Sequence, residues 1–290
     1  LVRPRIDVKK LDSLNFNFSS LLDMKRDTLT TNPNWFVNCE TFRLKKGEFN
    51  YVGLDPTDPI QNWSFNDFNV TINGVSFPRF DDFAFTLNNF NFKDDNGLHL
   101  RNLSLSVSGN DSLLTVKNLK LRTDASNVTI DSLGINLRDY KQTHDIRNTR
   151  FTLLMPEMHL QLSDLSHFLP EFSGSQLYAD ISLHLSGRIS SLKSKAFKAR
   201  LGEVTNLSGE FYINGLPDLE QTYVFLDLNE SYANLRRLRN IEFPASIWDV
   251  KASIPEFLSN IGALTYQGNF TGFINDFVTY GTAYSELGII

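Results

Sequence analysis

The histidines stand at positions 99, 144, 159, 167 and 184, and the single cysteine at position 39. A zinc hydrolase needs two imidazoles one helical turn apart beside a glutamate, and no His-Glu-x-x-His pair occurs. A thiol nucleophile needs an imidazole to activate it, and no histidine lies near Cys39 in sequence. One cysteine permits no internal disulfide, and Cys39 reads as a small, half-buried residue. The sequence has no Gly-x-Ser-x-Gly elbow, no phosphate-cradling glycine loop and no dinucleotide fingerprint. The turn Asp94-Asp95-Asn96-Gly97 imitates a calcium loop only in part. Counted back from Gly97, Phe92 takes the first ligand position, and Leu103 stands where the bidentate glutamate belongs. The carboxylate pair Asp81-Asp82 sits in a turn-like context, where solvated acids are the rule. These residues predict no catalytic site, no metal and no cofactor, and hence no enzyme. Nine Asn-x-Ser/Thr sequons, among them Asn17, Asn69 and Asn127, follow from a chain rich in Asn, Ser and Thr. They leave a glycosylated adhesion module as a minor alternative.

If no side chain does chemistry, the apolar pattern carries the meaning. Hydrophobic residues make up 41% and charged residues 21% of 290 positions, enough apolar material for a sizeable core. The net charge of −5 comes without a basic stripe, which argues against nucleic acid as a partner. The longest apolar runs, such as Phe151 to Met155, are far short of the roughly 18 residues a spanning helix needs. The chain begins at Leu1 and shows no leader, so it reads as an internal segment of a longer protein.

Period-2 alternation dominates the first half and predicts strands. It repeatedly breaks and resumes on the opposite parity. Phe83-x-Phe85-x-Leu87 shifts at Asn88-Asn89 to Phe90-x-Phe92. Leu98-x-Leu100 shifts at Arg101-Asn102 to Leu103-x-Leu105-x-Val107. Leu114-x-Val116 shifts at Lys117-Asn118 to Leu119-x-Leu121. Val128-x-Ile130 shifts at Asp131-Ser132 to Leu133-x-Ile135-x-Leu137, and Ile6-x-Val8 shifts at Lys9-Lys10 to Leu11. A bulge at each polar step would keep both halves of one bent strand facing the same way; two short strands joined by a tight turn are the other reading. The Asn96-Gly97 pair signals a hairpin, so neighbouring strands should be antiparallel. Few helices are available to cover the apolar face, so the sheet must cover itself by curling. The expected fold is mainly β: an elongated, curled antiparallel trough with a few short helices. Residues 1–150 form serial bent-strand units and residues 151–290 continue them.

An internal repeat spans the second part. Pro170-Glu171-Phe172 recurs as Pro255-Glu256-Phe257, and Leu185-x-Gly187-x-Ile189-x-x-Leu192 recurs as Phe270-x-Gly272-x-Ile274-x-x-Phe277, both at an offset of 85 residues. Asp164 likewise matches Asp249. Residues 164–202 and 249–288 therefore read as related units, each a short helix before a hairpin. Leu165, Phe168 and Leu169 have helical spacing up to Pro170. Ser231 is positioned to cap a second helix that ends at Arg236, Arg237 and Arg239. Gly187 and Gly272 interrupt strand patterns, where glycine marks a bulge or a close backbone approach.

From Asn206 onward the chain resembles the TamB branch of the AsmA-like family of Gram-negative bacteria. The likeness rests on Leu207-Ser208-Gly209-Glu210-Phe211, Gly215-Leu216-Pro217-Asp218, Ile254-Pro255-Glu256-Phe257-Leu258, Ile261-Gly262, Tyr266-x-Gly268-x-Phe270-x-Gly272-Phe273 and Asn275-Asp276-Phe277-x-x-Tyr280-Gly281. It covers about 85 residues closely, and the earlier strand units are compatible with it. The resemblance implies a periplasmic segment of an inner-membrane-anchored protein that reaches an Omp85-type, TamA-like outer-membrane partner. It implies a curled "β-taco" that passes phospholipid between membranes and supports outer-membrane assembly. Anchor and partner contact would lie outside this segment. The alternative is a scaffold whose open sheet edges engage outer-membrane proteins by strand addition. Phospholipid acyl chains are the expected guests. The candidate groove residues are Leu100, Leu103, Leu105, Val116, Leu119, Leu121, Ile130, Leu133 and Ile135, with Ser104, Lys120 and Thr129 turned to solvent.

Overall fold

The computed structural model describes residues 1–10, 16–17, 37–54, 62–79, 82–94, 97–218, 221–241, 259–273 and 276–289. Fifteen strands form one sheet in sequence order, each hydrogen-bonded to the strand before it. The first seven are β1 (Arg5–Lys9), β2 (Val37–Val52), β3 (Asn62–Arg79), β4 (Asp82–Asp94), β5 (His99–Gly109), β6 (Leu113–Arg122) and β7 (Asn127–Asn136). Then come β8 (Phe151–Gln161), β9 (Tyr178–Arg188), β10 (Ser191–Leu201), β11 (Thr205–Asn214) and β12 (Tyr223–Asn234). The series ends with β13 (Ala263–Phe273), β14 (Asp276–Ser285) and β15 (Gly288–Ile289). Every pairing is antiparallel except β1 on β2, which is parallel. At about 4.8 Å per strand the ladder runs for about 70 Å along its own curve.

The polar steps at 88–89, 101–102, 117–118 and 131–132 each lie inside one continuous strand, so the bent-strand reading holds there and the short-hairpin reading fails, whereas the step at Lys9-Lys10 falls at the end of β1. β4 bulges at Asn88–Asn89 opposite Ser104, and β5 at Arg101–Asn102 opposite Asn91. β6 bulges at Asn118–Leu119 opposite Leu105, one residue beyond the expected step. β7 keeps register with β6 through Asp131–Ser132, so it makes the same step alongside. The series continues at Pro156–Glu157 of β8, Lys195–Ala196 of β10 and Asn229–Glu230 of β12. Through the cross-strand register, most of these positions form one lateral crease, and bulges bend the strands that carry them.

The curl is visible in one contact. Trp63 of β3 and Phe168, which follows β8, meet edge to face at 6.3 Å. Those strands are five places apart, about 24 Å on a flat sheet. Among the described residues, the walls close into a packed aromatic cluster near β2–β5. There Phe65 stacks on Phe49 at 4.7 Å and on Phe92 at 4.3 Å, with Leu44, Phe68, Leu98 and Leu100 buried around it.

Short helices are few. One covers Leu137–Thr143, with Asn136 as its cap accepting from the Asp139 amide at 3.1 Å. The alternation had carried Leu137 into the preceding strand; the chain instead turns helical there. The expected helix near residue 164 consists of two 3-10 turns, Leu162–His167 and Pro170–Phe172. The second helix spans Leu235–Arg239, but its cap is Asn234, accepting from the Arg237 amide at 2.9 Å. Ser231 is not a cap: it lies buried within β12, where its hydroxyl accepts from the Ser208 amide at 3.2 Å.

The hairpins β9–β10 and β13–β14 share their limits at the 85-residue offset, from Tyr178 and Ala263 to Ser191 and Asp276. Gly187 and Gly272 have φ of 131° and 139°. Each pairs with the residue five positions on, Leu192 or Phe277. At either one a Cβ would run into the carbonyl oxygen four positions on, of Ser191 or Asp276. The hairpins differ in that β10 carries a bulge and β14 does not. Asp249, Pro255-Glu256-Phe257 and Ile274 lie outside the described residues, as do Asp81, Asp95, Asn96 and Leu11.

Candidate functional site

Residues paired across an antiparallel ladder point to the same face, so the register reads out the surface of the trough. One row runs Phe90, Leu103, Leu121, Val128, Met158, Ile181, Ala199, Leu207 across β4 to β11. A second runs Phe85, Val107, Val116, Leu133, Leu153, Leu185 across β4 to β9. It continues through Ser194, Phe211, Leu226 and Phe270 to β13. Between them Leu119 faces Ile130, and Met155, Leu183 and Phe197 face one another. Without the bulges, each strand half would present its apolar set to the opposite face.

All nine candidates share this face. They do not share one environment. Leu100 is buried in the aromatic core, with Leu103 and Leu121 packed against it. Leu105, Val116, Leu119, Ile130, Leu133 and Ile135 are only half-buried. Only ten hydrophobic side chains are buried among the described residues, too few for a sheet of this size closed into a sandwich. The walls therefore stay apart beyond the aromatic end. Ser104, Lys120, Thr129 and Glu157 form a polar row on the opposite face, although Ser104 and Thr129 are half-covered by their neighbours.

The apolar surface extends well past Ile135. Ile181, Leu183 and Leu185, with Leu207, Phe211 and Ile213, carry the same alternation and were the available signal for this continuation. Phe197 and Phe211 meet at 5.4 Å, and Phe270 and Phe277 at 4.4 Å.

One end of the trough, above the aromatic core, is crossed by the segment 162–177. The Asp164 carboxylate accepts from Thr123 Oγ1 at 2.6 Å and from Ser126 Oγ at 2.5 Å, both in the β6–β7 turn. Leu162 and Phe172 of the segment are themselves buried. This arrangement was not legible in sequence, because nothing local links residue 164 to residues 123 and 126.

Polar groups are otherwise dispersed. His159 Nδ1 lies 2.6 Å from Asp180 and His99 Nδ1 3.1 Å from Asp124, each an imidazole–carboxylate contact at the surface with no nucleophile beside it among the described residues. Cys39 is half-exposed and unbonded. Arg236, Arg237 and Arg239 do occupy the last turn of their helix; Arg239 donates to Ser259 at 3.1 Å and Arg236 approaches Glu286 at 3.6 Å. No cluster of three potential metal ligands occurs among the described residues. Nor is any helix among them long and apolar enough to cross a membrane. A hollow of about 360 Å³ beside the β10 bulge mixes Lys195 and Lys198 with Glu210 and Asp227, so it favours neither sign of ligand. No family model, curated protein or solved structure matches the chain.

Proposed function

We propose that the open apolar face binds acyl chains and that the protein is a lipid-conducting segment of an envelope-spanning assembly, with no catalytic role. The observation that carries this reading is the pair of apolar rows, continuous from β4 to β11 and β13 with only Ser194 interrupting, on half-buried side chains backed by a polar row. Exposed apolar area is costly in water at about 25 cal/mol per Å², and a continuous strip of it marks a surface that meets an apolar partner. A strip open along its length suits a flexible chain better than a compact ligand. The resemblance of residues 206–290 to the TamB branch supports the same reading, including a periplasmic setting and an Omp85-type partner bound through other parts of the protein.

A photo-crosslinking residue separates a groove from ordinary core. Placed at Leu119, on the apolar face, it captures phospholipid during expression in a Gram-negative host. Placed at Lys120, on the polar row, it does not. Equal labelling at both positions, or none at either in folded protein, removes the groove reading.

A second reading rests on the β14 edge. β15 pairs only with Tyr284 and Ser285, so the outer backbone groups of residues 276–283 have no strand partner among the described residues. Phe277, Val278 and Tyr280 beside them are at least half exposed. Such an edge accepts an added strand, and site-specific cross-links from residues 276–283 to an extended client peptide test it.

A further inference from the structure

We propose that the segment 162–177 is a latch that closes one mouth of the apolar groove, held shut by Asp164. The inference deepens the groove reading and rests on it. The latch leaves β8 and returns to β9, and the Leu162 amide donates to the Leu177 carbonyl at 2.9 Å, pinching its base. Among the described residues, the backbone hydrogen bonds donated within it stay within it: Phe168 and Leu169 to Leu165, Phe172 to Leu169, Ser173 to Pro170, Ser175 to Phe172. No ladder holds it to the opposite wall. Among the described residues, side chains tie it on two sides, Asp164 to the neighbouring β6–β7 turn and Phe168 to Trp63 of β3. Asp164 receives the hydroxyls of Thr123 and Ser126, and Phe168 leans on Trp63 while remaining 37% exposed. Neither 3-10 turn has a side-chain cap.

This construction suits opening as a unit. The pinched base keeps the segment folded on itself, and its contact with β3 is made between side chains. A loop needed only to join β8 to β9 has no reason to reach β3. By reaching it, this one covers the groove where the aromatic core ends. Trp63 sits under the latch, its indole donating to Asp94 at 3.3 Å, and so reports on closure.

The test uses the full chain with Trp35→Phe and Trp248→Phe, leaving Trp63 as the one tryptophan of three. Asp164→Ala, and separately Thr123→Val with Ser126→Ala, are each compared with the parent by circular dichroism and acrylamide quenching. In variants that keep the parent's β spectrum, the expected result is a red-shifted Trp63 emission and at least a twofold rise in its quenching constant. Dibromostearate then quenches Trp63 in the variants and little in the parent. Unchanged acrylamide quenching in both variants overturns the latch. The groove is judged separately, by dibromostearate quenching of a reporter introduced as Leu119→Trp in a Trp63→Phe background, a position remote from the latch tie. Loss of that signal alone removes the acyl guest and leaves the acrylamide result to judge closure.

Discussion

Asp139 shows what a single carboxylate does at the turn between β7 and β8. It sits in the first turn of the Leu137–Thr143 helix, where a negative charge is favoured. Arg150 donates to it through Nε at 2.6 Å, through Nη2 at 2.9 Å and through its backbone amide at 3.2 Å. Chiefly the Arg150 side-chain hydrogen bond holds its carboxyl down to about 2, from 3.8. A carboxyl depressed in the folded state contributes stability that is present above its unfolded value and lost as pH falls through the folded one. Thermal melts should therefore show a loss between pH 4 and pH 2 that shrinks in Asp139→Asn, while the two proteins differ by a constant amount above pH 5. A variant with the parent's full acid loss would show that the pair is only a surface contact. Residues of this kind were hard to read from sequence. Asp139 and Arg150 are ordinary charges until the β7–β8 turn brings them together, and Asp164 gains its role only from hydroxyls 38 and 41 positions away.

At the scale of elements, the parity shifts were legible because a bulge has a sequence consequence: it moves the apolar register by one while the core face stays fixed. Asn118 is the clearest case. Its φ of 54° places the bulged residue in the left-handed region, which asparagine tolerates and β-branched residues resist. Asn118→Ile should lower the opening free energy of β5–β7 amides by about 1–2 kcal/mol, whereas Asn118→Gly should change it by less than about 0.5 kcal/mol. Native-state hydrogen exchange measures both; equal effects would mean that the left-handed backbone at 118 does not set the crease. What the alternation missed has equally local causes. Leu137 continues the apolar phase of β7, so nothing in the periodicity marks the helix start, and Asn136 as its cap outweighs that phase. Ser231 and Asn234 are both competent caps, and β12 runs three residues further than the pattern suggests, which leaves the role to Asn234. The break between the two 3-10 turns follows from Pro170, which cannot continue a helix from the residues before it. The parallel pairing of β1 had no sequence mark, since strand direction depends on where the intervening chain returns.

The whole molecule is closer to a one-dimensional array than to a globule, because each strand is hydrogen-bonded only to its sequence neighbours. In such arrays stability is roughly a sum of local and nearest-neighbour contributions, and regions open independently. Those contributions are unequal here. β2–β5 bury Leu44, Phe65, Phe68, Phe92, Leu98 and Leu100 in one aromatic cluster. The outer edge of β1 is guarded as well: the Asn17 side chain donates to the Asp7 carbonyl at 2.9 Å and accepts from the Lys9 amide at 3.0 Å, imitating a further strand. At the other end β14 is exposed along nearly its whole length, Tyr280 to 70%. Burial of an aromatic side chain contributes about 1.5–3 kcal/mol, so several such residues at one end outweigh any difference in strand propensity. Amide exchange should accordingly be slowest in β3 and β4, intermediate across β6–β12, and fastest in β14, with no single cooperative unit spanning the sheet. Urea should release the β14 end before the aromatic end loses its near-ultraviolet signal. Exchange as slow in β14 as in β3, with one shared denaturant midpoint, would mean that the trough folds as a single closed core, and the open apolar rows would then need another explanation than a guest.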